Sequence, residues 1–161
     1  MFGDKPIIGL REGKIDPKRR MALHAFSGAE ENDVLALVFD SKRQYIKVCR
    51  IEDVKVEYEF FKKHVDVEQE VLRNATTVEE IRHSLELVEE KRKLLDKYLH
   101  SLIDIVTVDK QRRILIPQLA AEEMGLENSK NLYLEGAMDH MNIYPNKDIY
   151  HEVKKALIQN N

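Results

Sequence analysis

Two short stretches of this chain, 93 residues apart, carry the residue types best suited to gripping a phosphate or the edge of a guanine. Residues 15–21 read Ile-Asp-Pro-Lys-Arg-Arg-Met, and residues 108–114 read Val-Asp-Lys-Gln-Arg-Arg-Ile. Each is an apolar β-former, an Asp, two turn-type residues, an Arg pair and another apolar residue. An Asp at the head of a tight turn can accept backbone N–H bonds and pair with the Arg four residues on. In that arrangement Asp16 and Asp109 orient, while Arg20 and Arg113 present restrained planar guanidinium forks. Such a fork suits bidentate recognition of a phosphate or of guanine. A single turn of this kind reads as a solvated loop whose local Asp–Arg pair is worth little. Its recurrence points to two copies of one supersecondary unit.

The neighbouring charges fit the same chemistry. Lys14, Lys18 and Arg19 surround the first turn, and Lys110 and Arg112 the second. The whole chain is acidic, with a net charge of −3, but the charge is unevenly spread. Residues 1–51 carry ten Lys/Arg against seven Asp/Glu, whereas residues 52–104 carry nine against fourteen. A phosphate-binding surface can therefore lie at one end of an acidic protein.

Other chemistries find no support in the sequence. The six histidines show no metal-ligand spacing. There is no Gly-rich phosphate loop, nucleophile elbow or Ser/His/Asp arrangement. We therefore expect no enzyme activity, metal, cofactor or small-molecule substrate. Cys49, the one cysteine, reads as a small buried hydrophobe and fits a reducing cytoplasm. No apolar run approaches the ~20 residues that span a bilayer, and Met1 to Pro6 lack the core of a signal peptide.

The elements that must position the turns read as follows. Ile7 to Leu10 form a strand before the first turn, and Met21-Ala22-Leu23 follow it. Val34 to Phe39 turn Leu35, Leu37 and Phe39 inward, and Tyr45 to Cys49 form the next strand, with Asp40-Ser41-Lys42-Arg43 as the turn between them. The order then repeats. Ile105 to Val108 precede the second turn, and Ile114-Leu115-Ile116-Pro117 follow it. Gln118 to Met124 form a short helix ended by Gly125. Leu132-Tyr133-Leu134 and Met141 to Tyr144 make a hairpin around Gly136-Ala137-Met138-Asp139, and Lys147 to Gln159 form a last helix. Glu52-Asp53-Val54 matches Lys147-Asp148-Ile149 at an offset of 95, so the repeat extends past the turns.

Between the repeats lie two helical seams. The first is Val54, Tyr58, Phe61, Val65, Glu68 and Leu72. The second is Val78, Ile81, Leu85, Val88, Arg92, Leu95, Leu99 and Leu102, with Leu87, Leu94 and Tyr98 widening its apolar face. Asn74 to Thr77 break the two, and Thr76 with Glu79 or Thr77 with Glu80 makes a capping box. So short a break predicts antiparallel neighbours. Arg92, inside the second seam, either sets the register of a subunit contact or snorkels to solvent.

Taken together, the Met-Phe start, the two Asp-x-x-x-Arg turns, the strand pairs, the central helices and the Ile-Pro after the second turn resemble the MraZ family. These are bacterial DNA-binding proteins of the AbrB-like, swapped-hairpin class. The family carries an Asp-x-x-Gly-Arg turn in each repeat, matched here by Asp16 and Arg20 and by Asp109 and Arg113. The resemblance implies a transcriptional regulator that forms homo-oligomeric rings and binds tandem promoter repeats upstream of the division and cell-wall gene cluster. Arg19 and Arg112 stand where the family has glycine. Either the turn type differs, helped by Pro17, or the extra Arg adds a phosphate contact. His24 replaces an expected proline, and the central helices are longer than usual.

The expected fold is α/β (α+β). Residues 1–53 and 104–161 are two pseudo-twofold-related halves, βαβ-like or hairpins, forming a small β-barrel. Residues 54–103 are an inserted antiparallel helical hairpin. The expected partner is double-stranded DNA, with no membrane, in a cytoplasmic, nucleoid-associated protein. Arg20 and Arg113 would read base edges, and Lys14, Lys18, Arg19, Lys110 and Arg112 would hold phosphates. Two other readings remain at this point. One is an AbrB-like antitoxin holding a protein on its helices. The other is a structural oligomer whose Arg turns make subunit salt bridges.

Overall fold

The structure, a computed structural model, describes residues 1–128 and 131–160. The chain divides into two compact units, Met1–Ile51 with Leu102–Asn161, and Glu52–Ser101.

The first unit is a mixed α/β structure in which every strand pairing is antiparallel. Its strands are β1 (Ile7–Gly13), β2 (Arg20–Ala22), β3 (Val34–Phe39), β4 (Ile46–Arg50), β5 (Leu102–Thr107), β6 (Arg113–Leu115), β7 (Leu132–Met138) and β8 (Met141–Tyr144). Six of them form one sheet in the order β1-β7-β8-β4-β3-β5, and β2 and β6 form a separate two-stranded ribbon. The halves are therefore built from hairpins, not from the parallel strands of βαβ units. Among the described residues no strand pairing joins the edge strands β1 and β5, so the hydrogen bonding of the sheet does not close into a barrel.

The sheet order states the duplication in structural terms. Exchanging β1 for β5, β2 for β6, β3 for β7 and β4 for β8 leaves every pairing unchanged. The local axis passes through two cross-strand pairs. Met21 pairs with Ile114, the residue 93 positions on, and Lys47 pairs with Asn142, the residue 95 positions on. These are the two offsets present in the sequence.

Period-2 alternation drives the core together. Leu35, Leu37, Ile46, Val48, Leu132, Leu134, Met141 and Ile143 are essentially inaccessible to solvent, and Met21 and Ile114 from the ribbon belong to the same cluster. Each such side chain contributes ~1.5–3 kcal/mol by leaving water. Gly136, which the sequence places at the tip of the last hairpin, lies inside β7, opposite Met141. The tip is instead Met138-Asp139, where Met138 takes a φ of 73° and Ala137 N donates to His140 O at 2.9 Å. Gly136 is needed for close approach, because a Cβ there would lie 2.5 Å from Ile7 O.

Two helices complete this unit. Helix α3 (Gln118–Met124) ends at Gly125 with φ 66°, as the sequence predicts. Helix α4 (Lys147–Gln159) is capped by Asn146, whose side chain accepts from Ile149 N at 2.9 Å. It packs on β7 and β8 through Tyr150, whose ring lies 5.6 Å from Tyr133 and 5.1 Å from Tyr144. Beneath it Glu135 accepts from Lys154 Nζ at 2.5 Å and Tyr144 Oη at 3.1 Å. Burial, with the Glu135 charge, pushes the Tyr144 hydroxyl far above its ordinary range.

The second unit is a helical hairpin, α1 (Ile51–Arg73) and α2 (Val78–Ser101). Its limits fall two to three residues before the expected 54 and 103, because β4 runs into α1 without a loop and β5 begins directly after α2. Thr77 caps α2, its Oγ1 accepting from Glu80 N at 3.1 Å, and the Glu80 carboxylate reaches back to Thr76 N at 2.9 Å. The α1 seam is the expected one, with Val65 at its buried centre and Val54, Tyr58, Phe61, Glu68 and Leu72 half-buried.

The α2 seam is not the expected one. Val78, Ile81, Leu85 and Leu99 are exposed, whereas Ser84, Val88 and Tyr98 are buried and Leu87 and Leu95 half-buried. Tyr98 sets this rotation. Its ring stacks on Phe61 with centroids 5.1 Å apart, and its hydroxyl donates to Val54 O at 3.2 Å. An aromatic ring with a bondable hydroxyl gains more from burial than Leu99 one position on. Arg92 is exposed. None of the described helices is long and apolar enough to cross a membrane.

Candidate nucleic-acid interface

Both turns fold by the same set of bonds. In the first, Asp16 N donates to Arg20 O at 2.9 Å and Arg19 N to Asp16 O at 2.9 Å. The Asp16 carboxylate accepts from Lys18 N at 2.9 Å, from Arg20 N at 2.8 Å and from Arg20 Nε at 2.7 Å. In the second, Asp109 N donates to Arg113 O and Arg112 N to Asp109 O, each at 2.9 Å. The Asp109 carboxylate accepts from Gln111 N at 2.8 Å and from Arg113 N and Nε, each at 2.9 Å. Each Asp therefore uses one oxygen to fix the loop and the other to hold its Arg.

These bonds act on the titration of both carboxyls. The Asp16 group is held below the usual carboxylate range chiefly by the Arg20 backbone N–H, then by the Arg20 guanidinium. Partial burial works to raise the Asp109 group, but the Arg113 backbone and side-chain donors outweigh it and the net direction is also down. Both Asp side chains thus stay ionised and keep their Arg partners aligned.

Arg19 and Arg112 take the left-handed conformation, with φ 62° and 57°. Each arginine occupies the backbone region that favours glycine. Their side chains differ in attachment. Arg19 Nε donates to Ile116 O at 3.3 Å, whereas the Arg112 side chain is exposed and has no hydrogen-bond or ion-pair partner among the described residues. Lys14, Lys18 and Lys110 stand on the same turns, Lys18 and Lys110 with exposed side chains and Lys14 within the segment that leads into the first turn.

The ribbon brings the turns together. Arg20 pairs with Leu115, Met21 with Ile114 and Ala22 with Arg113. Symmetric bonds extend it at both ends, Leu23 N to Arg112 O and Ile116 N to Arg19 O, each at 2.8 Å. The turns thus sit at opposite ends of one ribbon. Met21 and Ile114 point into the core, and alternation sends Arg20, Ala22, Arg113 and Leu115 to the other face. Arg20 and Arg113 are diagonal neighbours there, with Cα atoms ~7–8 Å apart. Only the Nε of each is engaged, so both terminal nitrogens of each guanidinium are without a partner among the described residues.

Two members of this face escaped the sequence reading. Ala22 and Leu115 are exposed, Leu115 by 50%. The signal for them was period-2 alternation, since each lies two residues beyond a turn Arg. Arg11 precedes the first turn in the sequence. It donates to Leu10 O at 2.9 Å and lies over the Phe26 ring at 5.8 Å. His24, in place of the expected proline, pairs through Nε2 with Glu12 O at 3.0 Å. Comparison of the chain with protein-family models and with curated protein sequences gives no match.

Proposed function

We propose that this chain is a sequence-specific, double-stranded-DNA-binding transcriptional regulator of the MraZ type, with the AbrB-like swapped-hairpin fold and a small barrel completed by packing of the ribbon on the sheet. The observation that carries the reading is the pair of guanidinium forks, Arg20 and Arg113, held by Asp16 and Asp109 on one outward face of a two-stranded ribbon. A major groove admits such a ribbon, and an Arg fork fits the O6 and N7 of guanine. Lys14, Lys18, Arg19, Lys110 and Arg112 stand around the forks as phosphate contacts. The protein performs no catalysis in this role and requires no cofactor.

A single subunit presents few positive groups, so its affinity is weak. A homo-oligomeric ring that offers many ribbons to tandem promoter repeats raises the effective concentration and binds tightly. The exposed apolar side chains Val56, Phe60, Val67 and Val71 of α1 and Ile81 and Leu85 of α2 supply surface for such self-association. The targets in this reading are promoter repeats of the division and cell-wall gene cluster, and the site of action is the nucleoid in the cytoplasm.

The test is a gel shift of the full chain against the DNA upstream of its own operon, across salt concentrations. The reading expects a steep negative slope of log affinity on log salt. It also expects loss of the shift in an Arg20→Ala, Arg113→Ala double variant that keeps its fold and oligomeric state. Unchanged affinity in that folded variant overturns it.

A further inference from the structure

The two halves of the ribbon agree in their arginines and differ beside them. The repeat equates Arg20 with Arg113 and Ala22 with Leu115. The antiparallel register therefore sets Arg20 directly opposite Leu115, and Arg113 directly opposite Ala22. Cross-strand neighbours have Cβ atoms ~4.5–5.5 Å apart, so each fork shares its contact zone with its partner's side chain. Beside Arg20 stands an isobutyl group, 50% exposed, on an outward face. Beside Arg113 stands only a methyl group. A half-exposed leucine between two arginines adds nothing to a purely electrostatic grip on phosphates, yet it is the kind of group that packs against the 5-methyl of thymine.

We infer that Leu115 is a specificity-determining residue, which packs on the 5-methyl group of a thymine adjacent to the guanine read by Arg20. This rests on the DNA-reading role proposed above. The second half of the ribbon carries only the methyl of Ala22 at the equivalent place, which offers a base far less apolar surface than the Leu115 isobutyl group. The element read by one subunit is thus two guanines with a thymine beside only one of them. Such an element is not palindromic, although the fold that reads it has a pseudo-twofold axis. Bound to tandem repeats, every ribbon would face the same way along the DNA. The turns reinforce the asymmetry, since Arg19 is tied to Ile116 O and Arg112 is not.

Thymine and uracil differ by this methyl alone, which isolates the contact. The purified full chain would be used to select duplexes from a randomised pool. Each thymine of the enriched sequence would then be replaced singly by deoxyuridine. The parent protein should lose affinity about four-fold at one thymine per repeat, the worth of one buried methyl. Leu115→Ala should bind the thymine and uracil duplexes equally. Ala22→Leu should create a second methyl-dependent position. Leu115 is half-exposed, so both variants should melt close to the parent, which a thermal scan verifies. A selection that enriches no sequence overturns DNA reading and this inference together. Enrichment with no methyl-dependent position, or with one that persists in Leu115→Ala, overturns this inference alone.

Discussion

Arg19 and Arg112, 93 residues apart in sequence, share one left-handed backbone conformation, and their carbonyls accept across the same ribbon, Arg19 O from Ile116 N and Arg112 O from Leu23 N. The side chain at each position is therefore borne at a conformational cost of ~1–2 kcal/mol that glycine would not incur. Arg112→Gly should stabilise the folded chain by about 1 kcal/mol after glycine's greater unfolded-state entropy is counted, a rise in Tm of roughly 2–4 °C. Arg19→Gly should gain less, because it also removes the Nε bond to Ile116 O. In the proposed role both variants should weaken DNA binding while one of them melts higher. A thermal scan beside a gel shift separates the two effects, and a lower Tm for Arg112→Gly would contradict the assignment.

The turn carboxylates set a pH dependence of known sign. Asp16 and Asp109 both have folded-state pKa values below their ordinary value. Their contribution to stability is therefore complete above about pH 4, the unfolded carboxylate range, and is lost as pH falls through the lowered folded values. An Asp16→Asn, Asp109→Asn variant should melt below the parent at pH 7, and the deficit should shrink as pH falls below the ordinary carboxylate range. A deficit that stays constant across Tm measurements from pH 7 to pH 2 would mean that the loss is steric rather than ionic.

How far the sequence discloses this arrangement depends on the range of the interaction involved. The Asp-to-Arg pairing spans four residues, and the Thr77 cap of α2 spans three, so both are visible as local patterns. The duplication is visible because the offsets of 93 and 95 are kept through the strands that pair across the axis. The rotation of α2 is not, because it depends on Tyr98 finding Phe61 and the Val54 carbonyl 44 residues away. The outward face of the ribbon was half legible. The arginines announce themselves, but the pairing of Leu115 with Arg20 exists only once two distant strands meet.

Gly136 marks another long-range constraint. A Cβ at this position would lie 2.5 Å from Ile7 O and 2.7 Å from Ile8 N, both backbone atoms that cannot swing aside. Gly136→Ala should force β1 away from β7 and destabilise the chain by ~1–3 kcal/mol. Chemical denaturation reads this directly, and hydrogen exchange should show the loss concentrated in Ile7–Gly13. A neutral result would mean that the β1–β7 pairing is looser than its register indicates.

Replacing both forks by lysine tests what kind of contact they make. The double variant Arg20→Lys, Arg113→Lys keeps the net charge of −3. The number of phosphates neutralised should not change, and the slope of log affinity on log salt should equal that of the parent. A lysine offers a point charge where the arginine offers a planar fork, so bidentate reading of guanine is lost. Each fork is worth ~1–3 kcal/mol of discrimination in that role, so the loss of both makes the expected fall in the ratio of specific to non-specific affinity at least about thirty-fold. If instead the salt slope flattens and the ratio holds, the arginines are phosphate contacts, and base reading must come from other residues on the ribbon.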